Sequence, residues 1–142
     1  MSKRQEMIDA LKAALAGYTE ANGCSLTVRA VKEDEGRDYD PKEYPLVVIK
    51  DGECQITEAD FQERKTAVAV TLLLEGGADL RQRLRKGLSE MYEIIGNDET
   101  LGGATGMLTP KGDNIEVVFG TEKVGAATVF LDADYETDMW ED

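Results

Sequence analysis

From Arg64 to Leu74 the chain alternates without a break, and this stretch limits the possible folds more than any other. Thr66, Val68, Val70, Leu72 and Leu74 fall on one side of an extended strand, and Ala67, Ala69, Thr71 and Leu73 on the other. Such a strand belongs inside a sheet with at least one covered face. The small residues of the second side predict that a helix packs closely against it.

Two segments carry the helical period instead. Ser2 is a candidate N-cap, and Met7, Ile8, Leu11, Ala14, Leu15 and Tyr18 then recur as one apolar stripe, with Asn22-Gly23 as the expected end of the helix. Leu80, Leu84, Leu88, Met91, Tyr92 and Ile95 make a second stripe, opened by Asp79 and closed by Gly96. Each helix needs only one covered side.

Further strands are expected at Leu26–Val31, at Leu46–Ile49 after Tyr44-Pro45, and at Ala126–Tyr135. Asp51-Gly52 reads as a turn, with Cys54–Ile56 pairing back. Pro110–Asn114 reads as a hairpin turn between Met107–Thr109 and Ile115–Phe119. Residues 32–43 are the most polar stretch and read as an exposed loop with nothing to anchor a core. These elements together predict an α+β fold over residues 1–142, a mostly antiparallel sheet with two amphipathic helices packed on one face, ending in an acidic tail over 132–142.

Composition narrows the chemistry. The 142 residues are 42% hydrophobic and 32% charged, a globular balance, and no apolar run approaches the roughly 20 residues that span a bilayer. The first residues are polar and lack the apolar core of a secretory signal, so the expectation is a protein acting in the cytoplasm where it is made. There is no histidine, which removes the commonest general base, the Ser-His and Cys-His pairs and the usual zinc sites. A net charge of -13 opposes binding to phosphate backbones over most of the surface, and no sequence-specific nucleic-acid binding is expected. Cys24 and Cys54 are expected to be reduced thiols.

Three constellations are candidates for function. Asp51 with Glu63 and Lys65 faintly matches the acid, acid-x-lysine pattern of metal-dependent nucleases, a match that arises easily by chance in a chain with 29 acids. Arg81, Arg83, Arg85 and Lys86 sit in the first turns of the second helix, with Glu90 and Glu93 later, against the preference of the helix dipole. Arg81 and Arg85 repel at i, i+4, and Lys86 precedes Glu90 in the weaker order, so the arrangement costs about 1 kcal/mol in total. Either the fold tolerates a solvated basic face, or these cations meet acids from elsewhere in this chain or a neighbour, or they bind phosphate. Asp132, Asp134 and Glu136 point to one side of the last strand, about 7 Å apart in succession. They can hold a divalent cation, pair with arginines, or face solvent. Trp140 is either an anchor for a partner or an exposed tail residue.

The order of these elements resembles the tail-terminator and tail-completion proteins of long-tailed bacteriophages. It runs from the helix Met7–Leu15 through the Tyr44-Pro45-Leu46-Val47-Val48 strand and the Arg64–Leu74 strand to the helix Leu80–Ile95 and the final strand ending in Asp134-Tyr135. The resemblance covers nearly the whole chain and lies in element order rather than in a motif. It implies a virion structural protein of a phage or prophage, without cofactor or reaction. Such a protein is a homo-oligomer, typically a hexameric ring, at the head-proximal end of the tail tube. Its partners would be the tail tube protein and the head-tail connector protein, met in the host cytoplasm during assembly and then in the virion tail. Some relatives assemble with help from magnesium, for which Asp132, Asp134 and Glu136 would be the positions here. The alternatives are another head-tail junction protein and a cytoplasmic small-ligand-binding or enzyme domain. A ring needs two different patches that meet head to tail, and the Arg81–Lys86 cluster and the acidic last strand are two patches of that kind.

Overall fold

The computed structural model describes residues 2–58, 62–98, 100–118 and 123–137, with no side-chain description for Glu58. In chain order it contains α1 (Lys3–Leu15), β1 (Ala30–Glu33), β2 (Leu46–Glu58), β3 (Gln62–Glu75), α2 (Leu80–Gly96), β4 (Met107–Val118) and β5 (Val124–Thr137). The strands form one sheet in the order β1-β2-β3-β5-β4. Every pairing is antiparallel except β1 with β2, which is parallel. The fold is α+β with a mixed, mostly antiparallel sheet. Among the described residues no helix is long and apolar enough to cross a membrane.

β3 is the axis of the sheet. It pairs with β2 on one side from Gln62 to Leu73 and with β5 on the other from Gln62 to Glu75. Thr66, Val68, Val70, Leu72 and Leu74 are buried on the face that both helices cover. From α1, Met7, Ile8, Leu11 and Leu15 join the same core, as do Leu80, Leu84, Met91 and Ile95 from α2. Among the described residues no helix covers the face with Ala67, Ala69 and Thr71, contrary to the expectation drawn from its small residues. Close helix packing comes from two glycines instead. A Cβ on Gly87 of α2 would lie 2.4 Å from Leu72 Cδ2, and one on Gly125 of β5 would lie 2.5 Å from Leu84 Cδ1. The buried stripe of α2 accordingly includes Gly87 and Glu90, while Leu88 and Tyr92 are only half-buried, and Gly96 stays helical with Asn97 as the cap.

α1 starts as expected, with Ser2 Oγ accepting from Gln5 N at 3.0 Å, but it stops at Leu15. Gly17 and Tyr18 donate to Ala14 and Leu15 in tight turns, and Asn22 Nδ2 donates to Gly17 O at 2.9 Å. These bonds satisfy the helix end without further α turns. A short 3-10 turn, Glu20–Asn22, follows and ends on Gly23 at φ +91°. Tyr18 is thereby fully buried outside the helix. The strand expected at Leu26–Val31 begins only at Ala30, because Ser25, Val28 and Arg29 spend their backbone donors on Glu90, Tyr18 and Pro45.

Two turns and one loop expected from sequence take a different form. Asp51-Gly52 is a bulge inside one long strand, where the register with β3 shifts between Asp51 and Cys54. Pro110–Asn114 is likewise a bulge within β4, shifted between Pro110 and Gly112 against β5. In both places the long partner strand rewards continuous pairing more than a local turn does. Residues 32–43 are not a bare loop. Lys32 and Glu33 close β1, and Pro41–Glu43 form a 3-10 turn with an Asp40 capping box. Glu43 takes Arg37 and Lys32, each at 3.1 Å, which hold its carboxyl down at about 2. Residues 34–45 are the crossover that a parallel pair requires, about a dozen residues long. They lie over the helix-free side, since Lys32, the register neighbour of Val48, reaches Glu43 there. Leu46 and Val48 point to that side and are nonetheless buried. Phe119, Trp140 and the acids Asp138, Glu141 and Asp142 lie outside the described residues.

A buried polar joint ties the segment after α1 to α2. Glu90 accepts from Tyr18 Oη at 3.0 Å, from Ser25 N at 2.6 Å and from Ser25 Oγ. It is not the partner of Lys86 that its spacing suggested. Burial first, and the Glu90 carboxylate second, push the Tyr18 hydroxyl well above its ordinary value near 10. The contribution of this bond is present below pH 10 and is lost as pH rises beyond it, because the unfolded chain then releases a proton that the folded chain retains. Tyr18→Phe is expected to cost roughly 1.5–3 kcal/mol at neutral pH and to flatten the alkaline loss of stability. Urea denaturation at neutral pH and above pH 10 measures both effects.

Candidate assembly surfaces

The sheet separates two charged surfaces. α2 lies on the helix side and turns Arg81, Arg85 and Lys86 outward to solvent, where they make no ion pair among the described residues. Arg83 differs from its neighbours. Its guanidinium donates to Glu75 O at 2.8 Å and lies 3.4 Å from Asp79. It also sits where a side chain at Gly76 would stand, since a Cβ there would be 1.6 Å from Arg83 Nη2. The arginine therefore pins the β3–α2 connection, and Gly76 at φ +155° leaves room for it. It cannot be grouped with the free cations.

The last strand supplies the other surface. Ala127, Val129, Leu131 and Ala133 of β5 face the core, so Asp132, Asp134 and Glu136 face the helix-free side, as their alternation predicts. Their neighbours differ. Asp132 is held by Lys111 from the β4 bulge at 3.2 Å and is largely buried. Asp134 stands opposite Lys65 in the β3 register, and its carbonyl accepts from Thr105 Oγ and Gly106 N. Glu136 stands opposite Glu63, a like-charged cross-strand pair that disfavours the sheet end. The three carboxylates do not converge, and among the described residues no group of three acids or thiols could hold a metal ion. Cys24 and Cys54 are unpaired thiols.

The nuclease-like pattern is split by the sheet. Asp51 is opposite the inward-facing Val68 and pairs with Arg4 of α1 at 3.4 Å, on the helix side. Glu63 and Lys65 share the opposite face with Glu136 and Asp134. Two carboxylates on opposite faces of a sheet cannot share one ion.

Sequence reasoning missed two features of the helix-free face. Phe130 lies in its middle, 43% exposed, beside Ala69 in the register. Next to it a depression of about 90 Å3 is floored by Ala67 and walled by Glu53, Gln55, Lys65 and Asp132. The alternation of β3 and β5 placed Ala67 and Phe130 on this side, but only the bulge in β2 brings Glu53 there. A larger cleft of about 560 Å3 opens at the end of the sheet, between the start of α1, the ends of β2, β3 and β5, and the Leu101–Gly103 turn. Its charged lining mixes Lys3, Arg64 and Lys65 with Glu6, Glu63 and Glu136.

Arg83→Ala is expected to cost about 0.5–1 kcal/mol, discounted for its partial exposure, whereas Arg81→Ala and Arg85→Ala stay within about 0.5 kcal/mol of the parent. Equilibrium urea denaturation of the three variants separates a structural arginine from two that are free for other work. No protein-family model matches this chain, and no match to a curated protein was found.

Proposed function

We propose that this protein is a structural, ring-forming subunit of the tail-terminator kind, stationed at the head-proximal end of a phage or prophage tail tube. One face of the ring would meet the tube protein and the other the head-tail connector. The observation that carries the reading is the placement of charge. Arg81, Arg85 and Lys86 have no ion-pair partner among the described residues and lie on the outside of the helix layer. The acids Glu53, Glu63, Asp132, Asp134 and Glu136 lie on the far side of the same sheet. Two unlike patches on opposite sides suit a heterologous contact, in which copies join head to tail and close into a ring. The order of helices and strands, the basis of the resemblance, supports the same reading.

A small-ligand-binding domain is the second reading, favoured by the cleft beside α1. Its volume is in the range of ligand sites, but its lining is charged in both signs, where such sites are mostly apolar with few polar groups. A ligand that raises the melting temperature of the monomer, and loses that effect in Arg64→Ala, would favour this reading.

Assembly decides the main one. Light scattering coupled to size exclusion is expected to show mass rising with concentration to a closed oligomer, a hexamer by the resemblance. The oligomer should weaken as salt is raised, since exposed pairs are screened over about 10 Å at 0.1 M. A constant monomer across concentrations, at low salt and with magnesium, would sink the ring.

A further inference from the structure

The helix-free face of the sheet is built unevenly. Near β1 it is closed by the crossover, which buries Leu46 and Val48. At its centre it is open, with Phe130 exposed and Ala67 at the bottom of the small depression. Two carboxylates, Glu53 and Asp132, flank that depression, one from each neighbour of β3. An alanine floor between two carboxylate walls suits a planar guanidinium, whose hydrogens the carboxylates accept. Phe130 occupies the next outward position of β5 before Asp132 and offers apolar surface to the stem of an incoming side chain. Lys65 also lines the depression and Lys111 already holds one oxygen of Asp132, which leaves Glu53 and the other Asp132 oxygen to accept hydrogens from an incoming group.

Arg81 and Arg85 are the complementary knobs. They stand four residues apart on the outer stripe of α2, both exposed, against the preference of the helix dipole. Their own chain cannot bring them to the depression, because the sheet lies between. Resting on the ring reading above, we propose that the Ala67 depression is the seat for the Arg81–Arg85 stripe of a second copy of this chain, with Phe130 covered by the arginine stems. The contact replaces the broader pairing with Asp132, Asp134 and Glu136 suggested by sequence. Arg83 is committed within its own subunit, and Asp134 already faces Lys65. Each single pair at such a rim contributes little, so shape at Ala67 and coverage of Phe130 are expected to set the register.

The test separates shape from charge. Ala67→Leu fills the depression, leaves the charge unchanged, and places a strand-compatible residue on an exposed position of β3. It is expected to lower the association constant at least tenfold with the circular dichroism spectrum and melting temperature of the subunit retained. Glu53→Lys with Asp132→Lys in one chain, and Arg81→Glu with Arg85→Glu in another, should each fail to self-associate, and mixing the two chains should restore the oligomer. If the parent assembles and Ala67→Leu assembles equally well, or mixing restores nothing, the seat is wrong while the ring reading stands. If the parent stays monomeric at every concentration, both fall together.

Discussion

β3 pairs with β2 along one edge from Gln62 to Leu73, across one bulge, and with β5 along the other over its whole length, and the position of every other element follows from that double pairing. A strand paired on both sides cannot slip by one residue without turning Val68, Val70, Leu72 and Leu74 away from the helices. Its length also sets the length of its neighbours. β2 continues through Asp51-Gly52, whose local chemistry favours a turn. The excess residue in β2 is absorbed as a bulge at Asp51–Cys54 rather than as a break. That bulge has a consequence for the surface, since it brings Glu53 to the helix-free face beside Asp132.

The helices are held to this sheet by two different means. α2 settles close to β3 and β5 because Gly87 and Gly125 remove the atoms that would hold it off. The first helix and the segment after it are tied to α2 by the carboxylate of Glu90, which collects three donors from Tyr18 and Ser25. A buried carboxylate with that many hydrogen bonds is tolerable, and losing one donor is expensive. The joint therefore specifies how the chain leaves α1, and with it where β1 can start.

Charge is distributed by the same architecture. The helix layer and the bare sheet face are kept apart by the core, so cations on α2 and acids on β2, β3 and β5 cannot neutralise one another within a subunit. Some local pairs do form, as at Lys111–Asp132 and at Arg37–Glu43 in the crossover. Arg81, Arg85 and Lys86 make no ion pair among the described residues and face solvent on the helix layer. The net charge of -13 sets like-charged copies of the chain against one another and opposes non-specific association.

Periodicity alone was enough to identify α1, β3, α2 and β5 and to sort the residues of each strand into two faces, because burial on one side leaves a repeat in the residues themselves. It also placed Asp132, Asp134 and Glu136 on a common side and Arg81 and Arg85 on an outward stripe. It did not show which side of β3 the helices take, because Ala67 and Ala69 look as suitable for packing as Val68 and Val70 until the opposing glycines are in view. Nor did it distinguish a turn from a bulge at Asp51-Gly52 and Pro110–Asn114, where the outcome depends on a partner strand far away in sequence. Glu90 read as one member of a surface pair, and only tertiary contact with Tyr18 and Ser25 made it a buried joint. The split of Asp51 from Glu63 and Lys65, and the depression at Ala67, were likewise decided in three dimensions. Residue spacing records the face on which a side chain lies, but not which distant strand or loop will stand opposite it.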